Sequence, residues 1–342
     1  MCLINGLPLP GNICQQSKHP ELPNWDKSLS GDFDVACSSC HDPRLGGADG
    51  LSLSVGVGAI EPDIVGPGRQ HDGNYRIDPE ADGGPNVGRN SPTTFNTGFY
   101  DHAMFYDGRV EAIEKFFSMY QPARSPAYNG QNEIIRTPDS LFGGKDPEAG
   151  ANLTQAQSLF PIVSLNEMRG FSAALRGEHY AVRAYLAKRL QGKTGELTVN
   201  RWPALFRWAF EQPDASVESI VTSTNIARAL AEYQRSQVFI DTPWRRWLAG
   251  EGTINQAAKK GAFLFYTPLQ EGGAQCYQCH GGEFFTDEKY YNLAIPQFGR
   301  GKGVHGRDFG RYNATRQLGD MYAFRTPSLL NVTETAPRAG PH

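Results

Sequence analysis

The chain has 342 residues, with 33 Lys and Arg against 36 Asp and Glu, a formal charge of -3. There is no basic surplus to hold a polyanion, so nucleic acid is excluded as a partner. The apolar run Ala262-Phe263-Leu264-Phe265-Tyr266 is far short of the ~20 residues of a membrane-spanning helix. The length suits two ordinary domains. The 38 Gly and 23 Pro follow no repeat period; with 11% aromatic residues they predict long ordered loops around a modest helical core.

In chain order, residues 1–30 read as an irregular arm, and 46–88 as a Gly-rich segment without periodicity. Residues 109–120 space Val110, Ile113, Phe116, Phe117 and Tyr120 as on a helix. Residues 122–150 are loop-like. A helical block is expected over 164–190, opening with a capping box in which Ser164 is N-cap and Glu167 its N3 partner. Further helices are expected over 203–211, 217–238 and 255–265. No run of alternating strands is visible. C-x-x-C-H, the attachment pattern of c-type haem, stands at 37–41 and again at 276–280, so the expected fold is mainly α, with two cytochrome c-like haem domains and long irregular loops, divided as 1–165 and 166–342.

The haem assignment comes from the cysteines. Four of the six stand in two copies of one pattern, Cys37-Ser38-Ser39-Cys40-His41 and Cys276-Tyr277-Gln278-Cys279-His280. C-x-x-C-H is the attachment signature of c-type haem. Two thiols one helical turn apart reach the two vinyl groups of one porphyrin, and the adjacent imidazole stands under the iron. One zinc site shared by both pairs, or a thioredoxin-like redox pair, are the competing readings. Cys2 and Cys14 lack such spacing and read as a disulfide or as free thiols of a frayed terminus. Covalent haem attachment predicts a periplasmic protein, although residues 1–6 have neither a basic n-region nor an apolar core, so no export signal is present in this sequence. The motifs lie 239 residues apart, from Cys37 to Cys276, which favours two facing haem domains over a multihaem wire.

Other stretches resemble a known family. Arg89-Asn90-Ser91-Pro92-Thr93, followed by Phe105-Tyr106-Asp107-Gly108-Arg109, is similar to a signature of bacterial di-haem cytochrome c peroxidases, whose superfamily includes MauG-type enzymes. Gly281-Gly282-Glu283-Phe284-Phe285-Thr286-Asp287, Asp308-Phe309-Gly310-Arg311, Phe324-Arg325-Thr326-Pro327-Ser328-Leu329-Leu330-Asn331-Val332 and Thr335-Ala336-Pro337 continue the likeness in the family's order, over about 28–337.

The resemblance implies His41 and His280 as proximal iron ligands. It implies a calcium ion held by Asn90 and by backbone oxygens of Thr335 and Pro337, oxygen donors that suit this cation; the plainer reading of Asn90 is a turn residue. A distal pair ten residues apart corresponds to Gln157 and Glu167, with Gln121 a competitor for the glutamine. Glu167 would move the proton that peroxide cleavage requires; its plain reading is the capping box, and that of Gln157 a surface residue. Tyr106 stands where the family keeps an inter-haem Trp, so relay through it would be coupled to its phenolic proton. His71 is a candidate removable sixth ligand, against a solvent-exposed loop histidine. His19, His102 and His179 have no motif around them. About 40 residues, near 118–152, look inserted. Met321, His305 and His342 are fallback outer ligands of the second haem.

The implied activity is periplasmic reduction of hydrogen peroxide at the N-terminal haem, with electrons from a small donor protein, a cytochrome c or a cupredoxin, passing through the C-terminal haem. The alternatives are a MauG-type oxidase acting on side chains of a partner protein, and a di-haem electron-transfer cytochrome.

Overall fold

Proline and glycine interrupt the chain so often that its helices stay short. In the computed structural model, residues 3–4, 7–8, 26–75, 83–113, 134–140, 144–297 and 306–335 are described. Cys2, Cys14, His19, Gln121, His305, Pro337 and His342 lie outside them. After a dipeptide pair (β1, Leu3–Ile4; β2, Leu7–Pro8), the first haem motif forms a one-turn helix, α1 (Cys37–Cys40). The described residues of the Gly-rich stretch that follows are irregular, as expected.

The expected helix over 109–120 is not observed. Val110–Ile113 is a strand (β4) between β3 (Ala103–Met104) and β5 (Ile134–Arg136), with Ile113 opposite Ile134. β-Branched residues at both positions favour a half-buried strand, and two partner strands outweigh the helical spacing. Residues 114–120 are outside the described set. Because Ile135 is 1% exposed, the apparently inserted segment contributes a core strand as well as loop.

Helix α2 (Leu153–Gln157) follows, capped by Asn152. The single helix expected over 164–190 is broken into a π-helical turn (Leu165–Arg169), a short 3-10 turn and α3 (His179–Leu190). Gly170 ends the first piece at φ 68°, ψ −165°, a conformation open essentially to glycine alone. The Ser164 side chain makes no cap bond, so no capping box forms. Helix α4 (Trp202–Ala209) matches expectation. The helix expected over 217–238 is two, α5 (Val217–Ile220) and α6 (Ser223–Arg235), because the Thr222 hydroxyl accepts from Asn225 N and starts a new helix. Then come α7 (Pro243–Leu248) and α8 (Gln256–Tyr266, capped by Asn255), a 3-10 turn at the second haem motif, β6 (Tyr290–Tyr291), α9 (Tyr312–Thr315), β7 (Phe324–Arg325) and α10 (Val332–Thr335).

Helix α6 packs across α2 and α3, and one hydrophobic core runs from Leu29 through Leu159, Leu186 and Ile226 without a break at 165/166. Arg189 of α3, 1% exposed, ties this core to the segment before α1. All five of its N–H donors are used, on the carbonyls of Ser28, Ser30 and Gly31 and on the Glu196 carboxylate. From α7 onward large apolar side chains, Leu248, Phe263, Leu264 and Leu269 among them, stay on the surface. Among the described residues no helix is long and apolar enough to cross a membrane.

Candidate functional site

The two C-x-x-C-H motifs are held by the same device. The Nδ1 of His41 is 3.1 Å from the carbonyl of Gly47, and the Nδ1 of His280 is 3.1 Å from that of Phe285. Each ring is thereby oriented with Nε2 left for a metal. In both cases the carbonyl one residue earlier is also fixed: Thr93 Oγ1 donates to Gly46 O at 2.5 Å, and Ser328 Oγ donates to Phe284 O at 2.6 Å. Those hydroxyls belong to Pro92-Thr93-Thr94-Phe95-Asn96 and Pro327-Ser328-Leu329-Leu330-Asn331. Asn96 and Asn331 both have positive φ, 62° and 57°, and their side-chain amides converge on one acceptor, Phe239 O, at 3.3 and 2.9 Å. The chain thus repeats a haem-motif cradle about the segment that joins its two halves. Sequence reasoning missed this, although the shared P-(T/S)-x-x-N after each motif is its signal.

The donor set fits covalent haem. Cys37, Cys40, Cys276 and Cys279 are all free thiols. Burial pushes Cys37 up to about 11 and Cys40 up to about 12, Asp49 adding to the latter, the opposite of the lowered thiol of a thioredoxin-like redox pair. Among the described residues no three His, Cys, Asp or Glu side chains come together as a metal cluster, so the two C-x-x-C pairs do not build one zinc site. Burial lowers the pKa of His41, keeping its imidazole in the neutral, ligating form.

Glu167 projects from the π-helical turn, which the backbone seats closely. Val57 N donates to Asn166 O at 3.0 Å and Gly31 N to Met168 O at 2.8 Å. A Cβ at Gly56 would lie 1.9 Å from Asn166 O, so a glycine is required there. Burial raises the Glu167 pKa, with the Arg109 guanidinium and a hydrogen bond from Ser164 opposing it. Its charge in turn raises the Cys40 thiol, which places the carboxylate within electrostatic reach of the first haem motif. Gln157 is half-buried at the end of α2, where Oε1 accepts from Gln234 Nε2 at 3.4 Å.

His71 is not a solvent-exposed loop histidine: it is 1% exposed. Its backbone bridges to Ala59, and its ring meets Tyr75 edge to face at 6.1 Å. Arg69, two residues earlier, places all five N–H donors on backbone carbonyls, those of Val55, Pro62, Ile64, Asp34 and Gly56, at 2.8–3.1 Å. The segment that sounds like a loose loop in sequence is therefore tied internally and onto the Glu167 turn.

Tyr106 lies where the halves meet. Its ring stacks on Phe324 at 6.1 Å, the Arg89 guanidinium covers it at 3.5 Å, and its carbonyl accepts from Arg325 N at 2.8 Å. Burial, with Asp107 and Asp308, pushes its phenol up to about 12, so oxidation there must release a proton. Around it Arg89 pairs with Asp308, and Arg311 donates to Gly108 O at 2.9 Å and pairs with Glu111. Glu288, a residue the sequence did not single out, accepts from the backbone N–H of Asp101 and His102 at 3.2 and 3.0 Å. Asn90 donates its amide to Leu51 O, and Thr335 sits against Gly46, so both border the 46–51 loop. Met321 offers its carbonyl to Asn292 at 3.1 Å, and His179 pairs with Asp139 at 2.7 Å.

Comparison with known proteins agrees with this construction. Residues 24–253 match the family described as di-haem cytochrome c peroxidase. Cytochrome-c peroxidase IdrP1 of Pseudomonas sp. (strain SCT) is 27% identical over 92% of this chain and 64% of its own length. Methylamine utilization protein MauG of Methylorubrum extorquens is 25% identical over 92% and 61%. A crystal structure of a MauG-like protein associated with microbial copper homeostasis superposes with a TM-score of 0.59 at 20% identity, covering 97% of this chain and 73% of that one. The diheme peroxidase BthA from Burkholderia thailandensis gives 0.54 at 16%, over 95% and 67%. The chain spans just under two thirds of the length of the curated relatives it matches first. Repeated haem-motif cradles and matched motifs together show that the chain belongs to the di-haem cytochrome c peroxidase family.

Proposed function

We propose that the protein is a periplasmic di-haem peroxidase that reduces hydrogen peroxide to two waters, with electrons from a small donor protein such as a cytochrome c or cupredoxin. The observation that carries this reading is the paired arrangement of His41 and His280, each with Nδ1 on a backbone carbonyl that follows a hydroxyl-pinned one, with the Glu167 carboxylate within electrostatic reach of the first motif. Cys37, Cys40 and His41 would hold one haem c, and Cys276, Cys279 and His280 the other. When bound, these groups supply one-electron redox chemistry and an iron centre for peroxide. We place the division between the halves near 236–243, after α6, since the core is shared up to Ala227.

Glu167 is the acid–base residue of this mechanism. A carboxyl with a raised pKa can take a proton from one peroxide oxygen and return it to the oxygen that leaves as water. Arg109 opposes the rise and keeps the group able to ionise. Gln157 would orient the distal pocket from α2, and His71, on its Arg69-braced loop, would serve as the removable sixth ligand. Tyr106 relays electrons between the halves, and its phenolic proton leaves when it is oxidised. Asn90, with backbone oxygens of Thr335 and Pro337, would hold calcium, a neutral oxygen set that suits that ion.

The test is turnover. Holoprotein mixed with peroxide and a reduced small cytochrome should cycle many times. A protein that consumes one equivalent and then persists in an oxidised state supports the second reading, a MauG-type oxidase of a partner protein. Absence of any high-spin ferric signal, oxidised or half-reduced, would leave only an electron-transfer cytochrome.

A further inference from the structure

A row of aromatic rings leads from the surface helix α7 to the second haem motif. Trp247 meets Trp244 at 5.1 Å between ring centroids, Trp244 stacks on Tyr266 at 5.7 Å and 11°, and Tyr266 stacks on Tyr277 at 6.4 Å and 26°. Tyr277 stands between Cys276 and Cys279, the two attachment cysteines. A branch through Phe265 reaches Phe285, whose carbonyl orients His280.

Three facts set this row apart from ordinary packing. All four members are Trp or Tyr, the side chains most readily oxidised by one electron. Each is in ring contact with the next, within the separations of interacting aromatic pairs. The row also lies outside the hydrophobic core, partly open to solvent at every step, where burial alone gives little reason for four large aromatics.

We propose that Trp247, Trp244, Tyr266 and Tyr277 form a one-electron relay between the surface of α7 and the haem held by Cys276, Cys279 and His280. The proposal rests on the di-haem peroxidase reading and adds an electron path to it. In turnover, a one-electron reductant at α7 gives an electron to the row, and the row passes one to the haem; two such transfers and two protons convert peroxide to two waters. Without a reductant the row itself is oxidised. Two of its rings then each lose one electron and the N–H or O–H proton, which again balances one peroxide.

Holoprotein is treated with hydrogen peroxide, no donor and a nitroso spin trap, and the labelled residue is found by peptide mapping, with label counted per peroxide consumed and haem content measured in every sample. Label at Trp247 in the parent protein, lost in Tyr266→Phe and in Trp244→Phe, supports the relay. Both variants keep a ring in the stack but remove its oxidisable group. Undiminished label at Trp247 in both variants overturns it, since the oxidant then arrives through solvent, and so does peroxide consumed by the parent without label there. Peroxide left intact by the parent protein overturns the peroxidase reading and the relay together.

Discussion

Arg69→Lys tests whether the segment carrying His71 is held by a single guanidinium. Arg69 is 4% exposed and satisfies five backbone carbonyls. A lysine ammonium keeps the charge but has three donors on a flexible stem, so at least two carbonyls lose their partner. Each buried group left unsatisfied costs about 1–3 kcal/mol, giving a loss of about 2–6 kcal/mol. Because four of the five carbonyls, those of Val55, Gly56, Pro62 and Ile64, lie in the stretch that seats the Glu167 turn, the damage should be local before it is global. The assay is urea unfolding of the holoprotein followed by tryptophan fluorescence, with limited proteolysis mapping cleavage in residues 54–71. A lower midpoint with new cleavage in that stretch is expected. A variant within about 0.5 kcal/mol of the parent, the range of ordinary surface substitutions, with that stretch still protected, refutes the bracing argument.

Glu167→Gln should lower peroxide turnover about 10²–10⁴-fold with haem content unchanged; near-normal turnover moves the proton step elsewhere. Gly108→Ala should lower stability, because its Cβ would lie 1.8 Å from Tyr290 Oη and 2.3 Å from Arg311 Nη1 at φ 66°, so both side chains must move and the backbone is strained; a urea midpoint equal to the parent's would contradict this. Burial tends to raise Asp139, but its bonds to His179 and Arg183 outweigh that and hold its carboxyl below the ordinary value. A depressed folded-state pKa contributes stability that is present above the unfolded value of about 4 and is lost as pH falls through the folded one. Asp139→Asn should therefore lose stability at neutral pH, with the gap from the parent narrowing in acid; a gap constant over pH 3–7 would falsify the linkage.

Much of the chemistry was legible in the chain because it is local. C-x-x-C-H places two thiols and an imidazole within one turn wherever that turn stands, so Cys37, Cys40 and His41, and their second-half counterparts, were identifiable by spacing alone. The helices with clear caps, such as α8 after Asn255, were legible for the same reason. Residues 109–120 misled because helical spacing at Val110 and Ile113 coexists with β-branching, and only β3 and β5 decide between them. His71 misled because a Gly-rich neighbourhood implies exposure, whereas Arg69 closes the loop over it from within.

The sequence by itself determined which residues could carry the haems and in what order the motifs run, since covalent spacing and backbone preference act over a few residues. Only the tertiary structure decided that Tyr106 meets Phe324, that Glu167 stands within electrostatic reach of Cys40, and that Asn96 and Asn331 share the carbonyl of Phe239. Those contacts join residues that are far apart along the chain. The pairs Arg89–Asp308 and Arg311–Glu111 likewise join residues distant in the chain, and no local preference encodes such pairing.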